Sequence, residues 1–195
     1  MDALARTFRR FGPAAIAAGS ALFACRSAGL GNAYMALDES GNRRRSTFTT
    51  NDENIFCVGE LASGRDDVTV SARIVATQLN DRSGQPSGTD VTVGVGEAAP
   101  GKTEKNVLSF KLSPPPDPSL ADTPFLTGSY VCQLSIDGAL EAEVPFTIQF
   151  APCPTLPPST GSPCAGWVAP GAVCAGASPT VTCTCGDDGN WSCSP

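Results

Sequence analysis

Nine cysteines, six of them crowded into the last 43 residues, constrain this chain more than any other feature. They stand at Cys25, Cys57, Cys132, Cys153, Cys164, Cys174, Cys183, Cys185 and Cys193. A segment as short as 153–195 cannot bury enough apolar surface to fold unaided, so covalent cross-links must hold it. The set divides into one residue near the N-terminus, one distant pair and a terminal cluster. An odd total in an oxidising compartment leaves one thiol to be accounted for. Six clustered cysteines admit fifteen connectivities, and spacing alone does not choose among them. Zinc is the rival use of such a cluster, but there is no C-x-x-C pair and no histidine, so no metal site is expected.

The N-terminus explains how the chain reaches an oxidising compartment. Arg6, Arg9 and Arg10 form a cationic start, and residues 13–24 (PAAIAAGSALFA) form an uncharged apolar run. Such a run is too short to span a bilayer, which needs about 20 residues. Residues 1–24 therefore read as a cleavable signal peptide for ordinary secretion. Its removal takes the formal charge from -6 to about -8. A chain this acidic repels phosphate backbones, which argues against nucleic acid as a partner.

The stretch Leu22-Phe23-Ala24-Cys25 resembles the lipobox of bacterial lipoproteins. That resemblance implies acylation of Cys25 as the first mature residue and a partner in the lipid bilayer. Arg26 rather than Asp follows, which by the same resemblance implies sorting to the outer membrane or cell surface. With Cys25 lipidated, eight cysteines remain, an even number. The alternative is simple cleavage near Ala24 or Ser27, full secretion and a free thiol. Residues 25–32 are expected to be a lipid-anchored tether.

From about 33 to 150 the chain reads as strands separated by turns. Val68, Val70, Ala72, Ile74 and Ala76 alternate with Thr69, Ser71 and Arg73, the period of a strand buried on one face. The same alternation recurs at Val91, Val93 and Val95, at Leu108, Phe110 and Leu112, at Tyr130 to Ile136, and at Leu140 to Ile148. Pro145 marks the last run as an edge strand or a bulge. Asp137-Gly138 between two runs is a strong hairpin signal. Gly84 and Gly88 are expected in turns. With 54–61 as a further strand and 33–40 and 46–50 as weaker edges, seven or eight strands are expected. That density predicts an all-β, antiparallel β-sandwich with helix only in the signal.

The segment Gly128-Ser129-Tyr130-Val131-Cys132 resembles the G-x-Y-x-C of an immunoglobulin-like F strand. The resemblance implies an immunoglobulin-like sandwich, a structural tyrosine corner at Tyr130 beside Gly128, and a bridge from Cys132 to Cys57 on the second strand. The usual strand-C tryptophan is absent. Closing a loop of 75 residues contributes about 4.5 kcal/mol in a chain-entropy estimate.

Residues 151–163 (APCPTLPPSTGSP) read as a proline-rich connector. The remainder to Pro195 resembles small six-cysteine modules appended to secreted bacterial proteins. Residues 180–185 and 190–193 are expected to form a hairpin around Asp187-Asp188-Gly189. Cys183 and Cys185 then share a face and must reach different partners. Trp167 and Trp191 are the two tryptophans, and both lie here. Each is a candidate binding residue able to stack on a sugar, although cover for a disulfide is the simpler role.

Without histidine there is no Ser-His or Cys-His nucleophile pair. No phosphate-cradling glycine loop occurs, and the acidic pair Glu141 and Glu143 lies on an outward strand face. No enzyme activity and no cofactor are expected. The reading is a cell-envelope lipoprotein with a non-catalytic binding or structural role at the cell surface. Its alternatives are a carbohydrate- or wall-binding module, and a secreted inhibitor or accessory subunit of an extracellular complex. The partner would be envelope polysaccharide or another surface protein.

Overall fold

A computed structural model describes residues 29–62, 68–98, 106–114, 124–154, 156–164, 166 and 168–195. The segment 1–24, expected to be a signal, together with Cys25 and Trp167, lies outside the described residues. Every element among those described is a strand: β1 Leu30–Ala36, β2 Thr47–Thr49, β3 Ile55–Leu61, β4 Val70–Asn80, β5 Pro86–Gly88 and β6 Val91–Ala98, followed by β7 Val107–Leu112, β8 Gly128–Ile136, β9 Ala139–Gln149, β10 Val173–Ala175, β11 Thr182–Cys185 and β12 Trp191–Ser194.

One sheet runs β1-β3-β7, with every pair antiparallel. A second runs β2-β9-β8-β4, and β4 also pairs with β5 and β6. Among the described strands, β2 and β9 are the one parallel pair. The inward faces enclose one apolar core, with Ile55 and Cys57 from β3, Leu112 from β7, Val70 and Ile74 from β4, and Leu134 from β8. Burying each large aliphatic side chain contributes about 1.5–3 kcal/mol. Phe146 of β9 lies edge-on to Phe48 at 5.8 Å and stacks on Tyr130 at 5.1 Å.

The hairpin signal has its expected geometry. Asp137 and Gly138 both have positive φ, 49° and 83°, matching the right-handed twist of β8 and β9. Pro145 sits opposite Val131 of β8, and β2 covers only Thr147–Gln149 on the other side, so Pro145 lies on an open edge.

Three expectations are corrected. The tether was expected to run to residue 32, but Leu30 and Asn32 already pair with Leu61 and Glu60. Leu30 packs against the core, which draws the strand back toward the N-terminus. Gly88 belongs to the short strand β5 rather than to a turn. In β6 only Val93 of the valine face packs against the core. The β4–β6 register shifts between Ile74 and Val75, leaving Val93 in a bulge, and Val95 is 77% exposed. Gly94 and Gly96 face the core instead, in front of Leu112 and Phe110.

The C-terminal sheet β10-β11-β12 is small and antiparallel. Its core consists of Cys164, Cys174, Cys183, Cys185, Val168 and Trp191. It joins the first unit by an isolated parallel bridge from Ala151 to Val168, and the Ala151 amide donates to the buried Thr50 hydroxyl at 3.0 Å. Chain entry and this unit lie at opposite ends of the strands. Leu30 pairs with Leu61 at one end, whereas Ile55 of β3 and Gln149 of β9 mark the other.

Candidate functional site

Eight cysteines form four disulfides: Cys57–Cys132, Cys153–Cys174, Cys164–Cys185 and Cys183–Cys193. Cys57–Cys132 joins β3 of one sheet to β8 of the other, with Cα atoms 6.4 Å apart. Cys183 and Cys185 share the buried face of β11 and reach different partners. Four bridges place the protein in an oxidising compartment.

Tyr130 is buried, and its hydroxyl donates to the Leu126 carbonyl at 2.6 Å. Burial pushes its phenol above the ordinary value. Gly128 has φ 153°, and a Cβ there would run into the Gln78 carbonyl oxygen, so β8 starts with the one residue that fits against β4.

The arginine run at 43–45 is exposed, as a solvated loop would be, and two of its side chains also make contacts within the fold. Arg43 pairs with Asp38 at 3.4 Å and donates to the Leu37 carbonyl. Arg44 pairs with Glu60 at 2.9 Å while its guanidinium lies 3.6 Å from the centre of the Tyr34 ring. Burial, followed by the bond to Glu60, raises the Tyr34 phenol. Asp38 is held down at about 2, first by the Ser40 hydroxyl and then by the Asn42 amide.

Trp191 is 3% exposed and packs among the cysteines. Its indole therefore covers the disulfide core and offers no open face for stacking. Glu143 accepts from Gln133 at 2.9 Å on the outward face of β8 and β9, with Glu141 exposed beside it. Among the described residues no group of three Cys, Asp or Glu side chains is placed to hold a metal ion. No described helix is long and apolar enough to cross a membrane.

A groove of about 820 Å³ lies between the two units. One wall comes from the sandwich end: Asp52 and Glu53 of the β2–β3 turn, Pro114 after β7, and Pro124 and Phe125 before β8. The other wall is the proline-rich connector, with Leu156, Pro157, Pro158 and Pro163, and the edge of Trp191. Leu156 is 79% exposed at the rim, while Phe125 is buried at 4%. The Asp52 carboxylate accepts from the Thr49 amide at 2.7 Å, which fixes the turn. Sequence reasoning passed over this site. The connector looked like a spacer, and the walls are drawn from residues more than a hundred positions apart. The run of prolines beside a lone leucine was the available signal. The chain matches no protein-family model and no curated protein sequence, so the chemistry of this groove has to be read from its own residues.

Proposed function

We propose that this protein is an exported envelope lipoprotein, anchored by acylated Cys25, with a non-catalytic binding or structural role at the cell surface. One observation carries the reading. The eight cysteines from Cys57 onward are consumed by one another, so Cys25 is the odd thiol, and it stands directly after Leu22-Phe23-Ala24. Attachment of more than one acyl chain gives stable anchoring where a single chain does not.

We read the larger unit as immunoglobulin-like. The strand orders β1-β3-β7 and β2-β9-β8-β4-β6, the bridge between β3 and β8, and the Tyr130 bond to a carbonyl four residues upstream support this. Such a unit is a rigid platform that carries function on the loops at its ends.

The test is intact mass and non-reduced peptide mapping of the mature protein. A chain beginning at Cys25 and carrying acyl mass is expected, and Cys25→Ser should move the protein out of the detergent phase. A mature chain that starts elsewhere, with a free thiol at Cys25, overturns the reading.

A further inference from the structure

We propose that the groove between the sandwich end and the cysteine-rich unit binds an extended, cationic peptide segment of a partner protein. This deepens the surface-binding role proposed above. Its outward orientation rests on that anchorage, whereas its ligand chemistry does not.

Position comes first. The described chain enters beside Leu30, paired with Leu61, whereas the groove lies beyond Ile55 at the opposite end of β3. The seven residues of β3 set its two ends about 20 Å apart. A protein held by its N-terminus therefore turns the groove away from the bilayer.

The walls are preformed. Pro114, Pro124, Pro157, Pro158 and Pro163 have fixed φ, and Cys164–Cys185 ties the connector wall to β11. A ligand entering such walls orders little that is not already ordered, which favours affinity. The volume is in the range of sites that take a few side chains rather than a whole domain.

Charge selects the sign of the ligand. Asp52 and Glu53 are the charged residues among the described lining, and no Lys or Arg stands with them. The surrounding field has the same sign, because the chain carries a formal charge of -6 before any loss of its basic start. Leu156, open at the rim of the other wall, supplies an apolar contact to the same groove. Basic and aliphatic side chains alternating along an extended backbone meet both requirements. A sugar is disfavoured because the two aromatic residues of the lining, Phe125 and Trp191, are 4% and 3% exposed and present no stacking face.

The experiment is fluorescence anisotropy on the mature disulfide-intact protein with three labelled probes. These are a peptide of about ten residues repeating arginine, proline and leucine, its counterpart with glutamate at every arginine, and a hexamer of β-1,4-linked N-acetylglucosamine. The basic peptide should bind at least about tenfold more tightly than the acidic one, and the affinity should fall as salt is raised. Glu53→Lys and Leu156→Ser should each weaken it by about fivefold or more without moving the thermal midpoint. Leu156→Ser, at an exposed position, keeps the test decisive if the charge reversal disturbs its turn. Absence of binding, equal affinity for the two peptides, preference for the sugar, or full affinity in both variants overturns the proposal. The mass at Cys25 is measured separately, so loss of the anchorage reading and loss of this one are told apart.

Discussion

The ring of Phe110 in one sheet fills the space in front of Gly96 in the other, so that a Cβ at Gly96 would stand 2.9 Å from the Phe110 Cδ1 atom. The two sheets approach closely here because one side contributes no side chain. Gly96→Val should therefore destabilise the protein by about 1–3 kcal/mol through overpacking. Urea unfolding checks this. Pairing the change with Phe110→Leu should recover part of the loss, since the two residues share one space.

The bond from the Tyr130 hydroxyl to the Leu126 carbonyl pins the segment leading into β8. Tyr130→Phe keeps the ring stack with Phe146 and removes that bond alone. A cost of about 1–3 kcal/mol is expected, because the carbonyl loses its partner in a part-buried place.

Tyr34 and Tyr130 are the two tyrosines of the chain, and both phenols are raised above 10.0. Burial is the leading cause for each. A raised folded value favours the protonated form, so the stability involved is intact below pH 10 and is lost as pH climbs beyond it. Spectrophotometric titration at 295 nm should show less ionisation at pH 10 in the native protein than in denaturant. In denaturant about half of each phenol should be ionised at that pH.

Cys57–Cys132 and Cys183–Cys193 make opposite kinds of cross-link. The first spans 75 residues between sheets, and the second spans 10 within a hairpin already paired through the β11–β12 ladder. Loop entropy assigns them about 4.5 and about 2.7 kcal/mol. Replacing Cys57 and Cys132 by Ala should cost the protein more than replacing Cys183 and Cys193, as read by the urea midpoints of the two double variants.

Asp38 gathers the 38–43 turn by accepting bonds from the Ser40 hydroxyl and the amides of Asn42 and Arg43. Its value falls from 3.8 to about 2 in the folded protein. A depressed carboxylate stabilises above its unfolded value and ceases to do so as pH drops through its folded one. The amide signals of Asn42 and Arg43 should therefore titrate with a midpoint near pH 2. Asp38→Asn should abolish that transition.

Strands β3, β4, β7, β8 and β9 were legible in the sequence because a strand with one buried face writes its register in every second residue. The partnership of Cys57 with Cys132 was legible through the tyrosine two residues before Cys132. The face of β6 was not, because a single bulge at Val93 inverts the parity of everything after it, and glycines facing a phenylalanine carry no hydrophobic mark. Strand β5 escaped because Pro86-Ser87-Gly88 has turn composition and owes its conformation to β4. Pairing within 153–193 depends on which strands lie side by side, a relation between distant residues. The groove hides for the same reason, since Glu53, Phe125 and Leu156 meet only after both units have formed.

The bridge from Cys57 to Cys132 also governs how the molecule would meet mechanical force. Tension applied between the N-terminal end and the far unit would pass from β3 directly to β8 through sulfur. The loop between them, with its ends 75 positions apart, would be shielded from stretching. At about 3.4 Å per extended residue this withholds roughly 250 Å of slack. A tethered molecule of this build would resist a tug like a short strap rather than pay out like a rope.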